Sequence, residues 1–487
     1  MSAIDLAVIV VYVAGCTILG ARLGSGAKEL RGYFLGERNI PAWAVMISIV
    51  ATETSTVTFL SIPAIAYSRG GSFTFLQLPL GYLLGRVIVA TVLLPAYFRN
   101  QIFTAYEVLR QRFGGATRTT ASLLFLLTRT LADGLRLLLA ANVLHEITKW
   151  PIWVAIIAVG LTTVVYTFLG GMKAVVWIDV IQFHIYILGA LVAVGVLIAR
   201  LPGGWNELIE TARAAHKFRV FDFSFDLSRP FTFWAGLLGG MVLNTATHGA
   251  DQMMVQRYLS ARSEKQAAAA LIASGFVVLA QFALFLFIGV ALSVFYGFFP
   301  PAKPLVKDHE FAHFIVNYLP HGVLGLVIAA VFSAAMGVLS GSLNASASTT
   351  VNDLYRPWAR NTDERHLMRV SKTLTAVWGI AQMAVAAAAT RLADNVVLNA
   401  LAIASFTTGI ILGLFLLGIL TRTVGQAGAL VGLVAGVSAV SYAKFATALA
   451  WPWYALLGSA TVFVVGIIAD GVIVRARPRP GAGPEAV

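Results

Sequence analysis

The chain has 487 residues, 58% of them hydrophobic and 12% charged, with a formal net charge of +13 and a mean hydropathy of +0.81. A soluble domain carries about 25% charged residues, so the composition describes a polytopic membrane protein whose first partner is the lipid bilayer. The cations do not indicate nucleic acid, because they sit in short loops between apolar runs, where they set membrane orientation.

Apolar runs long enough to cross about 30 Å of hydrocarbon fall at 4–22, 41–67, 72–98, 117–146, 151–169, 174–200, 232–256, 265–298, 321–352, 366–391, 395–420, 426–447 and 453–475. These thirteen spans predict an all-α membrane protein. The first run lacks a basic leader and is long enough to span, so no cleavable signal is read. Its Cys16 is the only cysteine and can form no internal disulfide, which leaves the compartment open.

The second span holds the main polar signal. Residues 48–67 carry Thr52, Glu53, Thr54, Ser55, Thr56 and Thr58, followed by Pro63. Lipid satisfies none of these groups, so they face protein or a wet cavity. Serine and threonine also compete for backbone hydrogen bonds, which predicts a broken helix near Thr54 that offers free carbonyls to a cation and free amides to an anion.

Loop cations set the orientation. The segments after spans 1, 3, 7, 9 and 13 contain Lys28, Arg31 and Arg38; Arg99, Arg110, Arg112 and Arg118; Arg257, Arg262 and Lys265; Arg356, Arg360 and Arg365; and Arg475, Arg477 and Arg479. This places the N-terminus outside and the C-terminus in the cytoplasm of a bacterial-type inner membrane. The loop from Leu201 to Pro230 also carries cations, but its acids bring it near neutrality. The last residues, rich in Arg and Pro, read as a disordered tail.

Four segments carry a resemblance: YFLGERNIPAW (33–43), LGGMKAVVWIDVIQ (169–182), DQMMVQRYLSARS (251–263) and SAAMGVLSGSLNASASTTVNDLYRP (333–357). In order and spacing the chain resembles the sodium:solute symporter family. The resemblance implies a LeuT-type core of five plus five inverted helices, one helix before it and two after. The segments are then 1–40, first helix and loop; 41–200, first repeat; 201–231, extracytoplasmic loop; 232–421, second repeat; 422–475, two accessory helices; and 476–487, tail.

The resemblance also implies a cation site. It places backbone carbonyls of Ala51 and Thr54 opposite that of Ala334, with two hydroxyl positions falling on Gly337 and Val338. Those positions have lost their oxygens, which a hard cation needs in place of water, so weakened sodium binding is expected there. A second implied position uses Asp179 and Ser340, where the neighbouring serine position is Gly341 and the usual Thr before the acid is Ile178.

For the solute, Glu53, Gln77, Asp133, Asp251 and Gln252 are the expected cavity residues, giving a negative, acceptor-rich site for a cationic, zwitterionic or hydroxylated solute. Ser405, Thr407 and Thr408 are candidates for the same wall, with helix packing as the plain alternative. Arg86, Arg129, Arg136, His184 and His248 are possible partners of the buried acids; Asp133 and Arg136, three apart on one helix face, can neutralise each other. Trp43, Trp177 and Trp234 read as interface anchors.

No metal-ligand cluster or phosphate loop is present in the sequence, so no enzyme and no cofactor are expected. The expected function is alternating-access transport of a small polar organic solute, with Na+ as coupling ion and H+ as alternative. A uniporter and a transporter-like solute sensor remain rivals. Solute identity and oligomeric state stay open.

Overall fold

The computed structural model describes residues 2–24, 29–99, 102–305, 308–392 and 394–476. Lys28, the side chain of Ser405 and the tail after Ala476 therefore lie outside the described residues. The described chain is all helical. We label the main helices α1 (Ala3–Gly24), α2 (Ala42–Glu53), α3 (Thr56–Tyr67), α4 (Gln77–Ile88), α5 (Gly115–Thr148), α6 (Ile152–Arg200) and α7 (Gly240–Ala250). There follow α8 (Gln252–Leu259), α9 (Glu264–Phe298), α10 (Val323–Thr349), α11 (Glu364–Ala389), α12 (Asp394–Leu420), α13 (Gln426–Ala446) and α14 (Tyr454–Ala476).

Among the described residues seven helices are long and apolar enough to cross a membrane, or eight when α2 and α3 count as one bent span. The 49 residues of α6 cover two of the expected spans, divided at Gly171, whose φ of 54° and ψ of −152° leave the helical region. A positive φ costs glycine little, and its bare Cα lets the carbonyl and ring of Tyr33 approach. Helix α5 is not among the seven; Arg129, Asp133 and Arg136 interrupt its apolar run.

The expected break near Thr54 is present. Helix α2 ends at Glu53, Thr54 is extended (φ −92°, ψ 100°), and α3 leaves at 64° to α2. The competing hydroxyls act as anticipated: Thr52 and Thr54 donate back to the carbonyls of Ser48 and Val50, at 2.8 and 2.9 Å. Ser55 then restarts the helix by accepting from the amide of Thr58 at 3.2 Å. A second break, not expected, separates α7 from α8 at Asp251 (φ −91°, ψ 120°), whose carboxylate accepts from the amide of Met253 at 2.8 Å.

Helix α10 is the central post, packed along α1, α5, α6 and α11. Buried apolar side chains form two large packs. One runs through α3, the second half of α9 and the first half of α10; the other holds the first half of α2, all of α8 and the start of α5. Leu127, Leu161, Leu188, Ile380, Val434 and Ile468 are exposed on the outer faces, as lipid-facing side chains are. The last two helices pack on each other and on α12, at the edge of the bundle.

Candidate functional site

Both breaks open onto a chamber of about 400 Å³ between the packs. Thr52, Glu53, Ser55 and Thr58 line it from the first break, and Asn244, Thr247, Asp251, Met253 and Met254 from the second. Trp451, 40% exposed, stands at its rim and the fully buried Tyr106 at its floor.

The acid beside each break is neutralised by an arginine from another helix. Nη2 of Arg86, in α4, donates to both oxygens of Glu53 at 2.7 and 2.6 Å, and Nε2 of His248 reaches the same carboxylate. His248 also meets the hydroxyl of Tyr258, and Arg86 donates to Ser274 in α9. Glu53 nevertheless keeps 14% of its side chain exposed, on the chamber wall. At the second break Arg129 of α5 donates to Asp251 at 2.9 Å and stands 3.5 Å from Asp133, which also pairs with Arg136 at 2.6 Å.

Arg136 differs from the other charged groups. It spends one nitrogen on Asp133, keeps 30% of its side chain exposed and lines the chamber. Together with Ser55 and Thr56, the first residues of the restarted helix, it also borders a small void beside Ala334 and Val338. Among the described residues no other hydrogen bond engages its guanidinium.

Several expected solute residues lie elsewhere. Gln77 is saturated by the backbone of Thr74, Phe231 and Asp222, at 3.0, 3.0 and 2.9 Å, and does not line the chamber. Gln252 holds the amide of Ala105 and the carbonyl of Phe103, at 2.7 and 3.0 Å, below the floor. Asp133 is buried behind the two arginines. Of the five, only Glu53 and Asp251 reach the chamber, and both are paired. The expected negative cavity is thus corrected to a balanced one, with Arg129 and Arg136 facing Glu53 and Asp251. Thr407 and Thr408 do line the wall.

A second polar centre lies against α10. Asp179 of α6 is buried, and its Oδ2 accepts from Ser48 at 2.5 Å and from Arg257 at 3.1 Å, with Thr52 at 3.5 Å. Its Oδ1 is buried without a hydrogen bond, as are both ends of the Gln182 amide. These groups converge on the bare Cα of Gly337. A Cβ there would stand 3.0 Å from Gln182 Oε1, 3.4 Å from the carbonyl oxygen of Ala51 and 3.7 Å from Asp179 Oδ1. Three oxygens from two helices, two of them orphaned side-chain atoms, suit a hard monovalent cation.

The ligands expected for that ion rearrange. Ser340 turns its hydroxyl to the carbonyl of Gly337 at 3.1 Å, away from Asp179. At the other implied cation position Thr54 is expected to contribute its carbonyl; its hydroxyl is engaged by Val50, Gln281 and Tyr186. The sequence reading missed Gln182, although it lies three residues after Asp179 on one helix face. It also counted Arg257 among the loop cations, whereas the side chain is fully buried.

Residues 33–436 match the model of the sodium:solute symporter family. The chain is 32% identical to the human sodium/iodide cotransporter over 428 residues, covering 85% of this chain and 64% of that protein. It is 31% identical to the human sodium-coupled monocarboxylate transporter 1 over 88% of this chain and 71% of that one. A solved structure of a Na+-coupled sialic acid symporter, substrate-bound and outward-open, superposes with a TM-score of 0.88 at 29% identity, covering 97% of this chain and 98% of the other.

Proposed function

The chain belongs to the sodium:solute symporter family, a family of transporters and not of enzymes, and from that premise we propose that it carries a small organic anion through the membrane by alternating access, driven by a sodium ion held at Asp179. The observation that carries the anion is the partly exposed side chain of Arg136 beside the first residues of α3. A helix start presents free amides and the positive end of its dipole, and a guanidinium forks onto a carboxylate. Both point the same way. The apolar part of the solute would lie against Phe75, Phe125, Phe282 and Ile411. The relatives' names agree, since iodide, monocarboxylates and sialic acid are all anions at neutral pH.

The sodium site we assign comprises Asp179 Oδ1, Gln182 Oε1 and the carbonyl of Ala51, with Gly337 as the bare floor. Thr54 and Ala334 contribute backbone at most. Loss of the hydroxyls at Gly337 and Val338 is offset here by the amide of Gln182, so weakening is partial. We further propose the thirteen-span reading with inverted repeats at 41–200 and 232–421; the two breaks, with nearly equal dihedral angles at Thr54 and Asp251, support it. With the N-terminus outside, the rim at Trp451 faces outward and the floor at Tyr106 faces the cytoplasm of the inner membrane.

Counterflow in proteoliposomes tests this. Radiolabelled small monocarboxylates should exchange under an inward sodium gradient, while the matching amides should not. Arg136→Gln should cut that exchange by at least about tenfold, the loss of roughly 1.4 kcal/mol of binding. Exchange of neutral sugars that ignores Arg136→Gln would sink the anion reading, and uptake driven by a pH gradient without sodium would replace the coupling ion.

A further inference from the structure

Asp179 has two unlike faces. Oδ1 looks into the notch at Gly337, whereas Oδ2 is held by Ser48 and by the guanidinium of Arg257. That guanidinium is itself seated in a fitted hollow. A Cβ on Gly341 would fall 2.6 Å from its Nη2, 2.9 Å from Nη1 and 3.1 Å from Cζ, so any side chain at 341 would displace it. Its Nε donates to Ser48 at 3.0 Å and its Nη1 to the carbonyl of Met253 at 2.8 Å, and the residue is fully buried.

We propose that Arg257 is a tethered cation that occupies the hollow at Gly341, so that Asp179 accepts one mobile sodium ion and not two. The inference rests on the sodium reading above and deepens it to a stoichiometry. A buried carboxylate needs compensation by positive charge, and here a full unit of positive charge is covalently attached to the chain. The geometry adds a mechanical consequence. Arg257 lies in α8, just past the second break, and Ser48 in α2, just before the first, so Asp179 ties together the halves of both broken helices that lie on one side of the chamber. A sodium ion on Oδ1 competes with Arg257 for the same carboxylate and loosens that tie.

The test is sodium-dependent thermal stabilisation of the purified full-length protein, which needs no knowledge of the solute. Wild type should follow a one-site isotherm. Arg257→Gln removes the tethered charge while keeping the polar shape. It should bind sodium more tightly, with half-saturation lowered by about tenfold, and with a steeper curve as a second ion enters the vacated hollow. A purely structural role for Arg257 would give the opposite sign, weaker binding. Millimolar guanidinium chloride should return the variant to the wild-type isotherm, and Arg257→Lys, which keeps the charge, should stay close to it. If Arg257→Gln does not fold, Gly341→Ala supplies the same test, because the methyl must push the guanidinium off Asp179. An unchanged isotherm in the folded variant overturns this inference alone, whereas a wild-type protein without any sodium response overturns the sodium site as well.

Discussion

The two helix breaks are near copies in backbone and opposites in chemistry. At the first, the acid stands one residue before the extended Thr54, and a separate residue, Ser55, restarts the helix. Glu53 is therefore free to leave its own helix, and it binds α4 and α7 through Arg86 and His248. At the second, one residue does everything: Asp251 is the extended residue, the cap of α8 and the partner of Arg129. Separation of tasks makes the first break a cross-link with groups to spare, the carbonyl of Ala51 for the proposed cation and the start of α3 for the proposed anion. Fusion of tasks makes the second a self-contained elbow.

The comparison predicts unequal costs of neutralising the two acids. Glu53→Gln leaves Arg86 buried without its counter-charge, a loss of about 3–5 kcal/mol, so little folded protein should be recovered. Adding Arg86→Gln should restore much of the thermal stability, because removing both charges removes the penalty, but not uptake. If the single variant is as stable as wild type, the cross-link account fails. Asp251→Asn should be milder, because Asn caps a helix as well as Asp. We expect a folded protein whose solute half-saturation shifts by about tenfold or less, since Arg129 is released toward the chamber. Unfolding of Asp251→Asn would mean that the ion pair, and not the cap, holds the elbow.

The sequence disclosed the first break and concealed the second for a physical reason. Six hydroxyl and acid side chains crowd residues 52–58, and their competition with the backbone is a local effect that can be read without neighbours. At Asp251 a single residue breaks the helix, and an isolated acid in an apolar run reads equally as a ligand. The amides misled similarly: Gln77 and Gln252 announce a polar need, but only the fold shows that backbone at 74, 222 and 231, or at 103 and 105, meets it. Arg257 fell just outside the expected span at 232–256, where cations count as loop residues, yet α8 runs on to Leu259 in the interior. The family motifs gave Asp179 its place. They did not give Gln182, because its part depends on what Gly337 lacks.

That absence supplies a sharper and smaller test. Gly337→Ser restores an oxygen at the notch, and its Cβ contacts, 3.0 Å at the closest, require only a slight shift of the Gln182 amide. A further ligand should lower the sodium half-saturation by about three- to tenfold, read in the thermal-stabilisation isotherm. Weaker sodium binding would place the ion away from Gly337.

The least effect belongs to the far end of the first break. Lys217, in the loop after α6, donates to the carbonyls of Ala66, Tyr67 and Ser68 at 2.8, 3.1 and 2.8 Å, closing the C-terminus of α3. An ammonium there complements the helix dipole and satisfies carbonyls that end the helix, for a contribution of about 1–2 kcal/mol. Lys217→Met should lower the melting temperature by a few degrees and leave the solute half-saturation within about twofold, because no chamber residue moves with it. A large change in half-saturation would show that α3 pivots as one lever from Ser55 to Lys217, and that the first break, like the second, works as an elbow.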